Sequence, residues 1–237
     1  MTSNQILPPP ASELLSRMNY FLTGDVHGCF YTFEKTLEKW DRENEIFIQV
    51  GDLVDRGLYS AQVVELAISI SKNYPNSFFL KGNHEALMIK YFKDLSMNNW
   101  FTHYGEITIG SYLNAGKNAQ DDLDWLKGNP LVYEDDFLFV SHAGLTQTEN
   151  PYNEDDRDSL IWNRKPLLRL KKVQVHGHTP HSGKGPQYTR KTNSWNIDTG
   201  ACFGKGLSSL RLDARGKLLE KIFIKTDKRD FNLGNER

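Results

Sequence analysis

Asp25 and His27, in the string GDVHG (Gly24 to Gly28), stand two residues apart in what reads as an extended turn. Both side chains can then face one ion from the same side, and the flanking glycines let the backbone turn with no Cβ in the way. Asp52 opens the string GDLVDRG (Gly51 to Gly57), and Asn83 and His84 follow in GNHE (Gly82 to Glu85). Further along, His142 lies in SHAG and His178 in HGHT. Carboxylate, amide oxygen and imidazole nitrogen together suit divalent ions of hard to borderline character. With one oxygen of Asp52 on each of two ions, the donors divide into Asp25–His27–Asp52 and Asp52–Asn83–His142–His178. Mn²⁺, Fe²⁺ and Zn²⁺ all accept such sets.

Two ions ~3.5–4 Å apart share a bridging water and bring its pKa near neutrality, giving hydroxide without a side-chain base. Attack on phosphorus then needs charge stabilisation and a proton for the leaving oxygen. Arg56 fits the first need, because a guanidinium fork matches phosphate oxygens. Arg164, in Trp162-Asn-Arg, reads as a second clamp. His84, beside the donor Asn83, fits the proton donor, with Asp55 as the carboxylate that fixes its tautomer.

Each string alone has a plainer reading. Asp-x-His recurs by chance, and Gly-Asn-His can be a simple turn; the ordered set is what argues for a site. His176, at a strand end beside Gly177, reads as inward-facing, and His103 and His181 as ordinary surface or loop histidines. Asp198 either orders the site from behind or holds a turn. Cys29 is not a thiol nucleophile by pattern: a cysteine phosphatase needs an arginine six positions on, where this chain has Lys35.

These residues need elements to position them, and apolar runs precede each string. Strands at 20–23, 46–50 and 78–80 alternate with helices near 30–40, 60–72 and from about Glu85, the pattern of a partly parallel sheet covered by helices. The three early strings thus leave the C-terminal ends of strands, the edge where ligands collect in such sheets. Residues 94–128 read as an insertion over one face, and Trp100, Phe101, His103 and Tyr104 as either a substrate rim or core packing. Strands at 131–133, 137–140 and 173–176 lead to His142 and His178. The alternating stretches at 194–197, 207–212 and 219–224 are expected to form a second sheet.

The chain has 237 residues, 29 basic and 30 acidic, with 38% hydrophobic. That is enough for one substantial domain, expected over 18–237 behind a stiff lead-in at 1–17 containing Pro8-Pro9-Pro10. Balanced charge argues against a nucleic-acid binder, and no apolar run approaches a bilayer span. Two cysteines, Cys29 and Cys202, and no secretory pattern at the start make a reducing cytoplasm the expected home.

GDVHG, GDLVDRG, GNHE, SHAG and HGHT, in this order, resemble the phosphoprotein phosphatase family of metallophosphoesterases, its compact bacterial and phage serine/threonine phosphatases above all. The resemblance runs from about Tyr20 to Leu210. It implies an α/β (α+β) fold, a calcineurin-like β-sandwich flanked by helices, and a two-metal centre often active with Mn²⁺. It also implies hydrolysis of phosphomonoesters on phosphoserine or phosphothreonine, with phosphotyrosine as a further substrate. Matched motif by motif, Asp25, His27 and Asp52 fall on the first metal, and Asp52, Asn83, His142 and His178 on the second. His84 with Asp55 matches the acid pair, and Arg56 and Arg164 match the phosphate-binding arginines. The segments that dock regulatory subunits are missing, so phosphoprotein substrates, and not subunits, membrane or nucleic acid, are the expected partners. Symmetrical diadenosine tetraphosphatases share most of the strings and are the alternative. In them the second string usually lacks the Asp55–Arg56 pair and the third usually ends in Asp instead of Glu85, which sets the phosphoprotein reading first. A non-catalytic phosphopeptide-binding module is a third reading, against which the intact acid pair argues.

Overall fold

The computed structural model describes residues 18–96 and 99–231; the lead-in expected at 1–17 lies outside the described residues. Three parallel strands, β1 (Asn19–Thr23), β2 (Glu45–Gln49) and β3 (Ser77–Phe79), are each followed by a helix: α1 (Phe30–Leu37), α2 (Ser60–Asn73) and α3 (Asn83–Lys93). The two-residue period of a strand splits its side chains between two cores. Tyr20, Leu22, Ile46 and Ile48 belong to one, while Phe21 and Phe47 meet Phe33, Leu37, Val63 and Ala67 of the helices in the other. α3 begins two residues earlier than its apolar spacing implied. Glu85, at its third position, reaches back to accept a hydrogen bond from the Gly82 N–H at 2.8 Å, which fixes the helix start. Asn83 and His84 are thereby set in a helical first turn and not in a free loop.

The insertion is helical throughout most of its length. A π-helical turn (Phe101–Gly105) runs into α4 (Glu106–Asn114), and a 3₁₀ turn (Ala119–Asp122) into α5 (Leu123–Gly128). α4 lies on α2, where the Ser111 hydroxyl accepts the Ala61 N–H at 3.0 Å.

The second sheet is built from β4 (Val132–Glu134), β5 (Leu138–Ser141), β6 (Val173–His176), β7 (Gln187–Thr189) and β8 (Ser194–Asn196), in the order β4-β5-β6-β8-β7. β9 (Gly206–Leu212) and β10 (Leu218–Lys225) then return to the first sheet, whose order is β10-β9-β1-β2-β3. The expectation that all C-terminal strands share the second sheet therefore holds for β8 and fails for β9 and β10. Alternation marks a half-buried strand without saying which sheet it joins. β9 pairs antiparallel with β1, Tyr20 opposite Leu212, and divides its apolar residues between both cores. The result is an α/β sandwich of two mixed sheets flanked by helices. Among the described residues no helix is long and apolar enough to cross a membrane.

Candidate active site

The parallel strands of both sheets open at the same end, and the candidate residues meet there. Asp25, His27, Asp52, Asn83 and His84 arrive from the first sheet; His142 and His178 arrive from the loops after β5 and β6 of the second. The site therefore spans the joint between the sheets. All seven are buried. Donor atoms of His27, Asp52 and His84 lie within 4.8 Å of one another, as do those of Asp52, His142 and His178. Asp52 is common to both groups.

Tautomers show what this cluster is suited to hold. His27 Nδ1 is 2.9 Å from the Val54 carbonyl, and His142 Nδ1 is 3.0 Å from the Val50 carbonyl. Each carbonyl can only accept, so each Nδ1 carries the proton and each neutral Nε2 presents a lone pair. Both lone pairs face Asp52 Oδ2 at 3.3 Å, and that of His142 also faces Asn83 Oδ1 at 2.9 Å. The two lone pairs repel the carboxylate oxygen they face, and a cation placed among them makes those contacts attractive. Burial disfavours the charged form of two of the imidazoles, drawing His27 well below its ordinary range and His178 down to about 2. Within the cluster, two buried polar atoms, Asp25 Oδ1 and His178 Nε2, have no hydrogen-bond partner among the described residues. The donor set, free of thiolate, fits hard to borderline divalent ions. Asp25 accepts the His178 N–H through Oδ2 at 2.9 Å. It is not part of either three-donor group, and His84 takes its place by distance.

The backbone around these donors is strained. His27, Asp52, Asp55, Arg56 and His178 all have positive φ, between 45° and 73°, a region that side chains other than glycine rarely occupy. Glu85 holds the central part of this loop. Its Oε1 accepts the N–H groups of Leu53 (2.8 Å) and Val54 (3.2 Å), and its Oε2 those of Asp52 (2.9 Å) and Gly82 (2.8 Å). Nothing in the residue types marks this role except the capping-box spacing of Glu85 from Gly82. Because Glu85 is spent on backbone N–H groups, its identity carries no information about substrate.

His84 Nδ1 lies 2.5 Å from Asp55 Oδ2. Its Nε2 is 3.9 Å from Asp52 Oδ2 and points into the cluster. Burial works against the imidazolium, but Asp52 and Asp55 hold the His84 pKa above its usual value. Asp55 is pinned from the insertion: Trp100 Nε1 donates to Oδ2 at 2.8 Å and Thr108 Oγ1 to Oδ1 at 2.6 Å. Trp100 is thus a buried support and not a rim residue. Thr108 was missed, since nothing distinguishes one threonine in an amphipathic helix. The rim role passes to Tyr104, whose ring is 4.8 Å from that of His84.

Arg56, half-buried, donates from Nη1 to His27 Nε2 at 2.8 Å, and Arg164, exposed, donates to Thr179 Oγ1 at 2.9 Å, next to His178. The two cations therefore border opposite groups of donors. Of the residues set aside from the sequence, Cys29 is fully buried with its thiol pKa pushed up by burial. His103 is exposed and 2.8 Å from the Asn99 carbonyl. His176 bonds through Nδ1 to the Gly177 carbonyl at 3.2 Å. Asp198 accepts the Gly200 N–H at 2.9 Å, so it holds a turn, and burial lifts its pKa to about 6.

The family model for calcineurin-like phosphoesterases matches residues 18–202. The chain belongs to that family. It is 28% identical over 228 residues to the asymmetrical bis(5′-nucleosyl)-tetraphosphatase of Bacillus cereus strain Q1, covering 82% of this chain and 90% of that one. It is 30% identical over 174 residues to the symmetrical bis(5′-nucleosyl)-tetraphosphatase of Hamiltonella defensa, covering 70% of this chain and 59% of that one. Its fold matches the crystal structure of a candidate diadenosine tetraphosphatase with a TM-score of 0.69 and 21% identity, over 94% of this chain and 98% of the other. A protein serine/threonine phosphatase of Saccharomyces cerevisiae matches with a TM-score of 0.64 and 16% identity, over 91% of this chain and 82% of the other. The wider calcineurin-like metallophosphoesterase family and its metal-dependent phosphoesterase chemistry stand as the motifs implied. The ranking of substrates does not: the named relatives back the tetraphosphatase alternative better than the phosphoprotein reading.

Proposed function

We propose that this metallophosphoesterase hydrolyses dinucleoside tetraphosphates. The observation that carries the proposal is the similarity to named tetraphosphatases over 82% of this chain and 90% of the relative. In this reading Asp25, His27 and Asp52 hold one divalent ion, and Asp52, Asn83, His142 and His178 hold a second, with Mn²⁺ the proposed metal. Such a pair supplies Lewis acidity to the phosphoryl oxygens and an activated water as nucleophile. Arg56 and Arg164 bind phosphoryl oxygens from opposite sides and draw charge from them as the P–O bond to the leaving group breaks. His84 donates its Nε2 proton to the departing oxygen, while Asp55, bonded to Nδ1, fixes the ring and stabilises its charged form.

The buried His84–Asp55 pair also favours a second reading, phosphomonoester hydrolysis on phosphoserine or phosphothreonine. An alkoxide leaves poorly without a proton, whereas a nucleotide phosphate leaves readily without one. One side-by-side assay with Mn²⁺ separates the readings, using diadenosine tetraphosphate, a phosphoserine peptide and a phosphotyrosine peptide. The first reading predicts the highest kcat/KM for diadenosine tetraphosphate, with nucleotide products resolved by chromatography. Turnover of the phosphoserine peptide with none of the dinucleotide would overturn it.

A further inference from the structure

Arg56 lies between two aromatic rings at the border of the donor cluster. Its guanidinium carbon is 5.5 Å from the Phe203 ring centroid and 5.6 Å from that of Tyr104. Tyr104 also packs edge-on against His84, 4.8 Å between centroids. Phe203 differs from the other aromatics near the site in being 58% exposed. Among the described residues it joins no buried apolar cluster, so core filling does not explain a phenyl ring there.

The turn that carries Phe203 is braced at three points. It is a single 3₁₀ turn, Ala201–Phe203, bounded by Gly200 and Gly204 with φ of 74° and 73°. Asp198 Oδ1 accepts the Gly200 N–H at 2.9 Å, and Thr226 Oγ1 donates to the Ala201 carbonyl at 2.8 Å. Phe231 packs so closely beneath Gly204 that a Cβ there would sit 3.1 Å from its ring. An exposed aromatic held this firmly offers a planar face whose ordering cost is already met by the fold.

We propose that Phe203 is a stacking platform for a nucleobase, with Arg56 taking the phosphate that follows it and Tyr104 forming the opposite wall. The assignment rests on the dinucleoside tetraphosphate reading. A nucleotide joins a planar heteroaromatic group to a phosphate through one sugar, and this rim joins an exposed ring to a guanidinium through one contact. A phosphoserine side chain offers nothing planar to that ring. The rival role for Phe203 is to orient Arg56 by cation–π attraction alone.

The test compares the parent, Phe203→Ala and Phe203→Trp on diadenosine tetraphosphate and on its base-free analogue, a tetraphosphate carrying ribose at both ends. Loss of one base–aromatic stack raises KM for diadenosine tetraphosphate about five- to a hundredfold in Phe203→Ala. Turnover number and all constants for the base-free analogue stay near the parent, and Phe203→Trp restores KM. The added indole emission of Phe203→Trp, measured against the parent without metal, is quenched by AMP and not by inorganic phosphate. Equal losses on both substrates would assign Phe203 to orienting Arg56, and unchanged KM would leave the ring idle; either overturns the platform. A parent that turns over phosphopeptides but no dinucleotide breaks the functional reading separately. The quench then decides alone, AMP binding at position 203 upholding the platform and its absence removing it.

Discussion

Replacing Glu85 with glutamine changes one oxygen to an NH₂ group and leaves volume and shape alone. The carboxylate accepts two backbone N–H groups on each oxygen, Leu53 and Val54 on one, Asp52 and Gly82 on the other. Whichever way the amide is turned, two of these donors face a donor. Leaving a buried N–H unpaired costs about 1–3 kcal/mol, so the pair costs about 2–6 kcal/mol. For a chain of this size about 4 kcal/mol lowers Tm by roughly 8–16 °C. The loop released is the one that holds Asp52 at a φ of 60°, so Mn²⁺ affinity falls too, by about 10- to 100-fold for a lost outer support. Thermal unfolding followed by circular dichroism, with and without Mn²⁺, and calorimetric titration of the metal measure both effects. A Glu85→Gln variant with the parent's Tm and the parent's Mn²⁺ affinity would refute the argument that this carboxylate holds the loop.

Asp52→Asn removes the carboxylate common to both donor groups and is expected to abolish turnover and reduce bound metal; parental metal content and turnover would show that Asp52 is not shared. His84→Asn lowers turnover of alkyl phosphates by roughly 10²–10⁴-fold with metal content intact. Across phenyl phosphates the deficit shrinks as the leaving phenol becomes more acidic, and a flat deficit would remove His84 from the proton-donor role. Trp100→Phe keeps the aromatic packing but deletes the bond to Asp55, so it gives a milder version of the same leaving-group trend at nearly the parent's Tm. Loss of stability alone would reduce Trp100 to a packing residue.

The early half of the fold was legible because β1, β2 and β3 are short apolar runs ended by glycine-containing turns, and each turn carries a residue with an ionisable or metal-binding side chain. The strings also placed His142 and His178 correctly at the ends of strands. What sequence could not show was partnership across distance. Leu207 and Leu212 alternate as any half-buried strand does, and only pairing with β1 puts them in the first sheet. Trp100 reads equally as rim or core until its indole N–H is seen on Asp55. Glu85 and Thr108 act through backbone and carboxylate atoms brought near by folding, and neither residue type announces such a role. Asp55 and Arg56 were read as marks of one substrate class. Asp55 proves to hold His84 through a 2.5 Å bond to Nδ1, a contact that singles out no substrate.

On this proposal two divalent ions, held by six buried residues that meet at Asp52, drive phosphoester hydrolysis. Elemental analysis and turnover measured on the same preparation test it most directly, before chelation, after chelation and after Mn²⁺ is restored. Two equivalents of metal per chain are expected, with their loss together with phosphoester hydrolysis on chelation and recovery of both with Mn²⁺. Full turnover in protein carrying no metal would contradict it.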